Sequence, residues 1–357
     1  MHIKKYGTLC WKSFCLMFLL SLFLVFSACG TANQPSTSPA PAVTDPVIQS
    51  SPSAPVSTFS TPSAPLLWKV TDPKTGGILY LFGSIHVGTE SMYPLPDAVM
   101  DAYKSSDALA VECDIISIEN NLDGTVKSVQ YFLCPNGEHI TDHLSPETYQ
   151  AVTAFLTENS PYGSLLSLFQ TYNPAFWASL VDNAIVQLAG FKNDLGLDYY
   201  FLALALQDDQ KEVLEVESLD FQFQLLAQVP DALQDYLIRS AVSDPEKEIA
   251  DLQALYEAVR TGDEAALNAL LFDDSDLLQD ETLTEEQRKN LLFLMEDYED
   301  ALYNTRNVHM AETAASYLQE GRHVFFVVGM GHMLGENGIV ARLAAEGYFV
   351  TQIKTGS

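Results

Sequence analysis

Two apolar runs, residues 66–70 and 78–82, flank the polar segment Asp72-Pro73-Lys74-Thr75-Gly76-Gly77, a pattern that predicts a β-hairpin with a glycine-containing turn. The second run continues directly into Gly83-Ser84-Ile85-His86. Beyond Pro94 and Pro96, the amphipathic stretch 97–105 predicts a helix, and the apolar run 108–113 a strand. Strand, loop, helix and strand in that order are the mark of an α/β unit.

The middle of the chain reads as helical. Ser145 followed by Pro146 and Glu147 supplies a capping residue and a proline at the first helical position. Further helices are predicted over 174–189 and 195–206, then a short strand over 212–216 ending near Glu217, then helices over 245–260 and 264–271. Thr284-Glu285-Glu286-Gln287 is a capping-box pattern that opens a long helical region, which Gly321 closes. The final section repeats the plan of the first. A strongly apolar strand over 323–328 runs into Gly329-Met330-Gly331-His332, followed by a helix over 339–345 and a strand over 348–353. An apolar strand therefore leads into a Gly-x-x-His motif at each end of an α/β (α+β) domain with a helical middle.

The front of the chain has a different character. Lys4, Lys5 and Lys12 precede an apolar run over 14–26, which is short for a membrane span and has the layout of a secretory signal. Phe26-Ser27-Ala28-Cys29 resembles a bacterial lipobox, which predicts a signal peptide over 1–28, lipid on Cys29 and a domain anchored to the membrane outside the cytoplasm. Residues 30–65 are dominated by Ser, Thr, Pro and Ala, with no Lys or Arg and Asp45 as the one acid. Such a segment buries too little apolar area to offset its ordering entropy and reads as a tether. The folded domain is then expected over 66–357. Loss of the three lysines with the signal takes the formal charge from −29 to −32. A surface so acidic repels nucleic acid and anionic headgroups. Cys113 and Cys134 are the thiols left in the domain. Outside the cytoplasm they could pair, or Cys113 could pack as a small hydrophobe in its strand.

Glycine just past a strand lets the backbone turn sharply or approach another group closely. Three residues later, His86 and His332 stand where α/β sheets form ligand crevices. Neutral imidazoles at such places either ligate a transition metal or cap the strand end by hydrogen bonding. Glu112 places a carboxylate in an otherwise apolar strand, where an unpaired charge is costly, so it needs a cation or a hydrogen-bond network. Glu217 holds a comparable place, with Glu215 competing for the inward face. Arg306 is a rare base in an acid-rich helical region, and either pairs with an acid or serves catalysis. His139 and His143 are four apart without an acidic helper, a weak pattern for metal, and His309 and His323 are weaker still.

Taken together, several short segments resemble the TraB/PrgY/GumN family, related to the TIKI metalloproteases. They are Gly83-Ser84-Ile85-His86-Val87-Gly88, Pro94-Leu95-Pro96, Ala110-Val111-Glu112, Gly196-Leu197-Asp198, Val216-Glu217-Ser218 with Gln222, Arg306-Asn307 with Met310-Ala311, and Val328-Gly329-Met330-Gly331-His332 with Gly335 and Gly347-Tyr348. Val216 and Ser218 depart from the usual leucine and threonine around Glu217. The resemblance implies two related α/β halves with mixed β-sheets, a TIKI/TraB-like (EreA/ChaN-like) architecture in which both histidine motifs meet at a shared cleft. It also implies a divalent metal, manganese or cobalt favoured and zinc possible, held by His86, Glu112 and His332. Glu217 would then act as general base and Arg306 as the oxyanion stabiliser of a hydrolase that cuts peptide or protein substrates. The competing implication is a lipoprotein that sequesters peptide pheromones without cutting them.

Overall fold

The strand His323–Gly329 is buried at every position from Val324 onward, so both of its faces are covered. Its near-continuous apolar sequence is what a central parallel strand requires. In the computed structural model, which describes residues 62–119, 129–208, 210–271 and 275–356, this strand (β5) lies in a six-stranded sheet of order β4-β3-β5-β2-β1-β6. The others are β1 (Leu67–Thr71), β2 (Ile78–Ser84), β3 (Ala108–Val111), β4 (Glu212–Glu215) and β6 (Phe349–Ile353). The predicted signal, Cys29 and the tether as far as residue 61 lie outside the described residues. Among the described residues no helix is long and apolar enough to cross a membrane.

The predicted hairpin is present as β1 and β2, antiparallel from Leu67 opposite Phe82 to Thr71 opposite Ile78. Strands β2, β5, β3 and β4 are mutually parallel. The two ends of the chain thus meet in one mixed sheet: β2 and β5 are neighbours, and β6 closes the edge beside β1.

Helices cover the sheet and extend beyond it. Helix α1 (Asp97–Lys104) links β2 to β3. The middle region contributes α2 (Pro146–Asn159), α3 (Pro174–Leu188) and α4 (Leu197–Ala205). Ser145 and Asn173 cap α2 and α3 through their side chains, each with proline at the first position. After β4 come α5 (Leu219–Ala227), α6 (Asp231–Ser243) and α7 (Pro245–Thr261). The long helical region that Thr284 opens is α8 (Glu285–Glu299), one π-helical turn (Asp300–Thr305) and α9 (Arg306–Gln319). Short α10 (Met330–Met333) and α11 (Ile339–Ala345) follow β5.

Phe82 of β2, Phe325 of β5, Tyr103 of α1 and Phe201 of α4 form one aromatic cluster, with Phe201 and Phe325 ring centres 4.7 Å apart. This cluster belongs to the main core under the sheet. A smaller core joins α6 to α8 and the π-helical turn through Leu233, Leu237, Leu291 and Leu302. Neither α5 nor α6 was expected from the sequence pattern. Cys113 and Cys134 are both free thiols. Cys113 is buried and donates to Gln222 Oε1 at 3.3 Å, so it serves as a packed side chain with a weak hydrogen bond.

Candidate active site

Four parallel strands run the same way, and each delivers a candidate residue at or just past its C-terminal end. Strand β2 leads to Ser84 and His86, β5 to Gly329 and His332, β3 to Glu112 and β4 to Glu217. That edge of a parallel sheet is where ligand crevices form. Ser84 and Gly329 are direct register partners, so the two Gly-x-x-His motifs leave the sheet side by side. Gly83 permits the contact: a Cβ there would meet the Met330 Cα at 3.1 Å and its flexible side chain sooner.

The π-helical turn between α8 and α9 brings Arg306 into the centre of this edge. Its guanidinium is fully buried and binds both glutamates. Nη2 donates to Glu112 Oε2 at 2.8 Å and to Glu217 Oε2 at 2.6 Å, while Nε donates to Glu217 Oε1 at 2.8 Å. Of the two roles open to Arg306 in the sequence, pairing with an acid is what the geometry supplies, and its partners are distant in sequence. Gln222, on α5, bridges the same carboxylates, donating to Glu112 Oε2 at 3.0 Å and Glu217 Oε2 at 3.2 Å. The remaining Glu112 oxygen accepts from the Gly329 N–H at 2.6 Å. Glu217, not Glu215, takes the inward place, and Glu215 instead accepts from the Asp114 N–H at 2.9 Å in an exposed position. His309 steadies this segment by donating from Nε2 to the Val216 carbonyl at 3.1 Å.

Burial by itself would raise the Glu112 pKa, but Arg306, then His332, His86 and the Gly329 N–H, bring it down to about 2. Glu112 is therefore an anion at neutral pH. Burial and the neighbouring Arg306 charge hold His332 down at about 3, so it is neutral. Burial also acts to lower His86, yet the Asp198 carboxylate and its hydrogen bond outweigh it and raise the pKa above 6.5.

Each imidazole is anchored through Nδ1. His86 Nδ1 lies 2.8 Å from Asp198 Oδ2, and His332 Nδ1 lies 2.6 Å from Asn307 Oδ1. Asn307 is itself oriented, since its Nδ2 donates to the Asn337 carbonyl at 3.0 Å. Both Nδ1 atoms therefore carry a proton, and in each neutral imidazole Nε2 presents a lone pair. Among the described residues neither Nε2 has a hydrogen-bond partner, and the same holds for Ser84 Oγ and Asp198 Oδ1. Four buried polar atoms without partners at one strand edge are costly unless a ligand completes them. His86, Ser84, Glu112, Asp198 and Gln222 line one cleft.

His86, Glu112, Glu217, Arg306 and His332 are thus all gathered at this edge. His143 is not: it pairs with Asp231 at 2.8 Å and Glu138 at 3.2 Å, while His139 sits at the N-terminus of the short helix Ile140–His143. Ser84, Asp198, Gln222 and Asn307 were visible in the motif segments, but their spacing gave no sign of what they would hold.

The sequence model of the TraB/PrgY/gumN family matches residues 66–352. The chain belongs to the TraB/PrgY/gumN family. The match contains every residue of the strand edge described above. Among curated relatives, the uncharacterized protein YbaP of Escherichia coli K12 is 31% identical over 153 residues, 43% of this chain and 53% of YbaP. Metalloprotease TIKI2 of Danio rerio is 24% identical over 327 residues, 80% of this chain and 60% of its own length. The chain therefore spans between about half and 60% of these relatives. No solved structure matches it. Among the described residues, no group of three or more His, Cys, Asp or Glu is close enough to form a ready metal cage.

Proposed function

We propose that this chain is a metal-dependent hydrolase of peptide or protein amides, held outside the cytoplasm by lipid on Cys29. The observation that carries the reading is the pair of buried imidazoles whose Nε2 lone pairs lack partners while their Nδ1 protons are held by Asp198 and Asn307. Metal-ligating histidines are anchored in this way, with the second nitrogen tied to a carboxylate or amide oxygen. The donor types suit a divalent ion, although no preformed cage is present among the described residues: His86 and His332 would hold it, with Glu112, whose Oε1 is 4.0 Å from His332 Nε2, as the adjoining carboxylate. The family resemblance favours manganese or cobalt, and imidazole donors also suit zinc. Such an ion, when bound, activates water and polarises a carbonyl.

The chain's own residues supply the rest. Arg306 and Gln222 hold Glu112 in place and keep it ionised, so it acts as a fixed anion and not as a proton donor. Both oxygens of Glu217 are occupied by Arg306, and the guanidinium is fully enclosed. In this reading Glu217 and Arg306 are positioning residues, in place of the general base and oxyanion donor that the family resemblance implies. Ser84 Oγ is free to donate to a substrate carbonyl, and Asp198 Oδ1 to accept from an N–H. An amide offers both groups on adjacent atoms.

The test is to load the purified domain with Mn²⁺ or Co²⁺, measure bound metal beside His86→Ala and His332→Ala, and follow a peptide library by mass spectrometry. Metal-dependent fragments that vanish in both variants are the expected result. Intact peptides that stay bound would make the chain a sequestering protein instead.

A further inference from the structure

Ser84 and His86 line a second cleft as well as the polar one. The walls of this second cleft are Leu255 and Val259 from α7, Leu271, Tyr303 and Met330. The two clefts are of similar size. The two differ sharply in chemistry. Glu112, Asp198 and Gln222 face one, whereas the other is lined by His86 and Ser84 and otherwise by aliphatic or aromatic side chains and motif backbone. The Tyr303 ring lies 5.2 Å from the His332 ring, so the apolar wall begins beside the second motif histidine.

A charged or strongly polar side chain entering the apolar cleft would lose its water without gaining a partner. A bulky apolar side chain would instead leave water for a surface that matches it. We propose that this cleft is the specificity subsite, taking an aliphatic or aromatic side chain from the residue that adjoins the amide held at Ser84 and His86. The proposal rests on the hydrolase reading above and adds the substrate class: peptides with a large apolar residue beside the bond that is cut. The polar cleft receives the chain on the other side of that bond.

The experiment uses Mn²⁺-loaded protein and five peptides identical except for Leu, Phe, Ala, Asp or Lys at one position. Cleavage beside Leu and Phe is expected to exceed that beside Ala by about tenfold or more in kcat/KM, with Asp and Lys lowest, since small apolar differences in such pockets discriminate on this scale. Val259→Phe fills the cleft and is expected to narrow the Leu-over-Ala ratio about tenfold. Leu255→Ala enlarges it and shifts the preference from Leu towards Phe, which decides the matter if Val259→Phe fails to fold. Equal cleavage of all five peptides, or variants that lower every peptide in the same proportion, overturns the proposal. If no peptide is cut, the hydrolase reading fails and the subsite is judged separately by fluorescence anisotropy of the labelled series. Tighter binding of Leu and Phe peptides that weakens in Val259→Phe upholds it, and uniform affinities overturn it.

Discussion

Glu217 donates its backbone N–H to the carbonyl of Glu112 at 2.8 Å, and the two side chains then close on the single guanidinium of Arg306. The backbone bond continues the β3–β4 pairing past both strands, which places two carboxylates of like charge side by side. Without Arg306 they would repel in a water-poor setting. With it, they become a rigid anionic platform beside two histidines.

Removing that cation should be expensive. Arg306→Met leaves two buried carboxylates uncompensated, and breaking a buried ion pair in this way costs about 3–5 kcal/mol. Arg306→Lys keeps the charge but loses the forked geometry and should fall between the two. Urea unfolding at neutral pH measures both, and a loss below about 1 kcal/mol for Arg306→Met would show that the network is not what holds this edge.

Asn307 should matter for metal more than for folding. Asn307→Ala removes the oxygen that holds the His332 Nδ1 proton, a change that typically lowers metal affinity by about 10–100-fold. Asn307→Asp keeps an acceptor at the same place and should retain most of the affinity, as Asp198 does beside His86. Mn²⁺ titration of the metal-free variants, followed by calorimetry, distinguishes the two substitutions.

Gly196 is a close approach and not a turn of positive φ. A Cβ there would lie 2.5 Å from the His86 carbonyl oxygen and 2.6 Å from its carbon, both backbone atoms with little freedom to move. Gly196→Ala should destabilise by about 1–3 kcal/mol through overpacking and displace His86 from its cleft. Thermal unfolding and metal binding should both suffer; an unchanged melting temperature would mean the neighbouring loop yields freely.

Thiol chemistry offers a test that is independent of function. Burial pushes the Cys134 thiol up to about 11, aided by Glu138, Asp231 and Asp142, and burial also raises the Cys113 thiol well above its ordinary value. A raised thiol pKa means less of the reactive thiolate. Alkylation of native Cys134 should therefore speed up about tenfold per pH unit between pH 8 and 10, while Cys113 stays protected. Denaturation without reductant should then expose both to the reagent, and a mass short by two alkyl groups would reveal a disulfide instead.

Much of this architecture could be read along the chain because its signals are local. The hairpin, the apolar β5 and the caps at Ser145 and Thr284 each rest on residues a few positions apart, and each is present in the structure. Helices α5 and α6 are not evident in the pattern: Pro230 interrupts the run between them, and the apolar face of α6 is defined largely by contacts with α2, α3 and α8. The π-helical turn was missed as well, because Asp300–Thr305 continues an ordinary helical pattern and only the extra residue in the turn rotates Arg306 inward.

By itself the sequence determined which residues stand at strand ends, since a short continuous apolar run followed by Gly-x-x-His or an isolated glutamate is a local pattern. Only the tertiary structure decided what those residues face. Which nitrogen of His86 and His332 carries the proton, which glutamates share Arg306, and which cleft each motif opens onto depend on partners such as Asp198, Asn307 and Gln222, more than a hundred residues from at least one group they serve or on another element altogether. Hydrogen-bond direction and burial are set by the meeting of surfaces, and no spacing along the chain encodes that meeting.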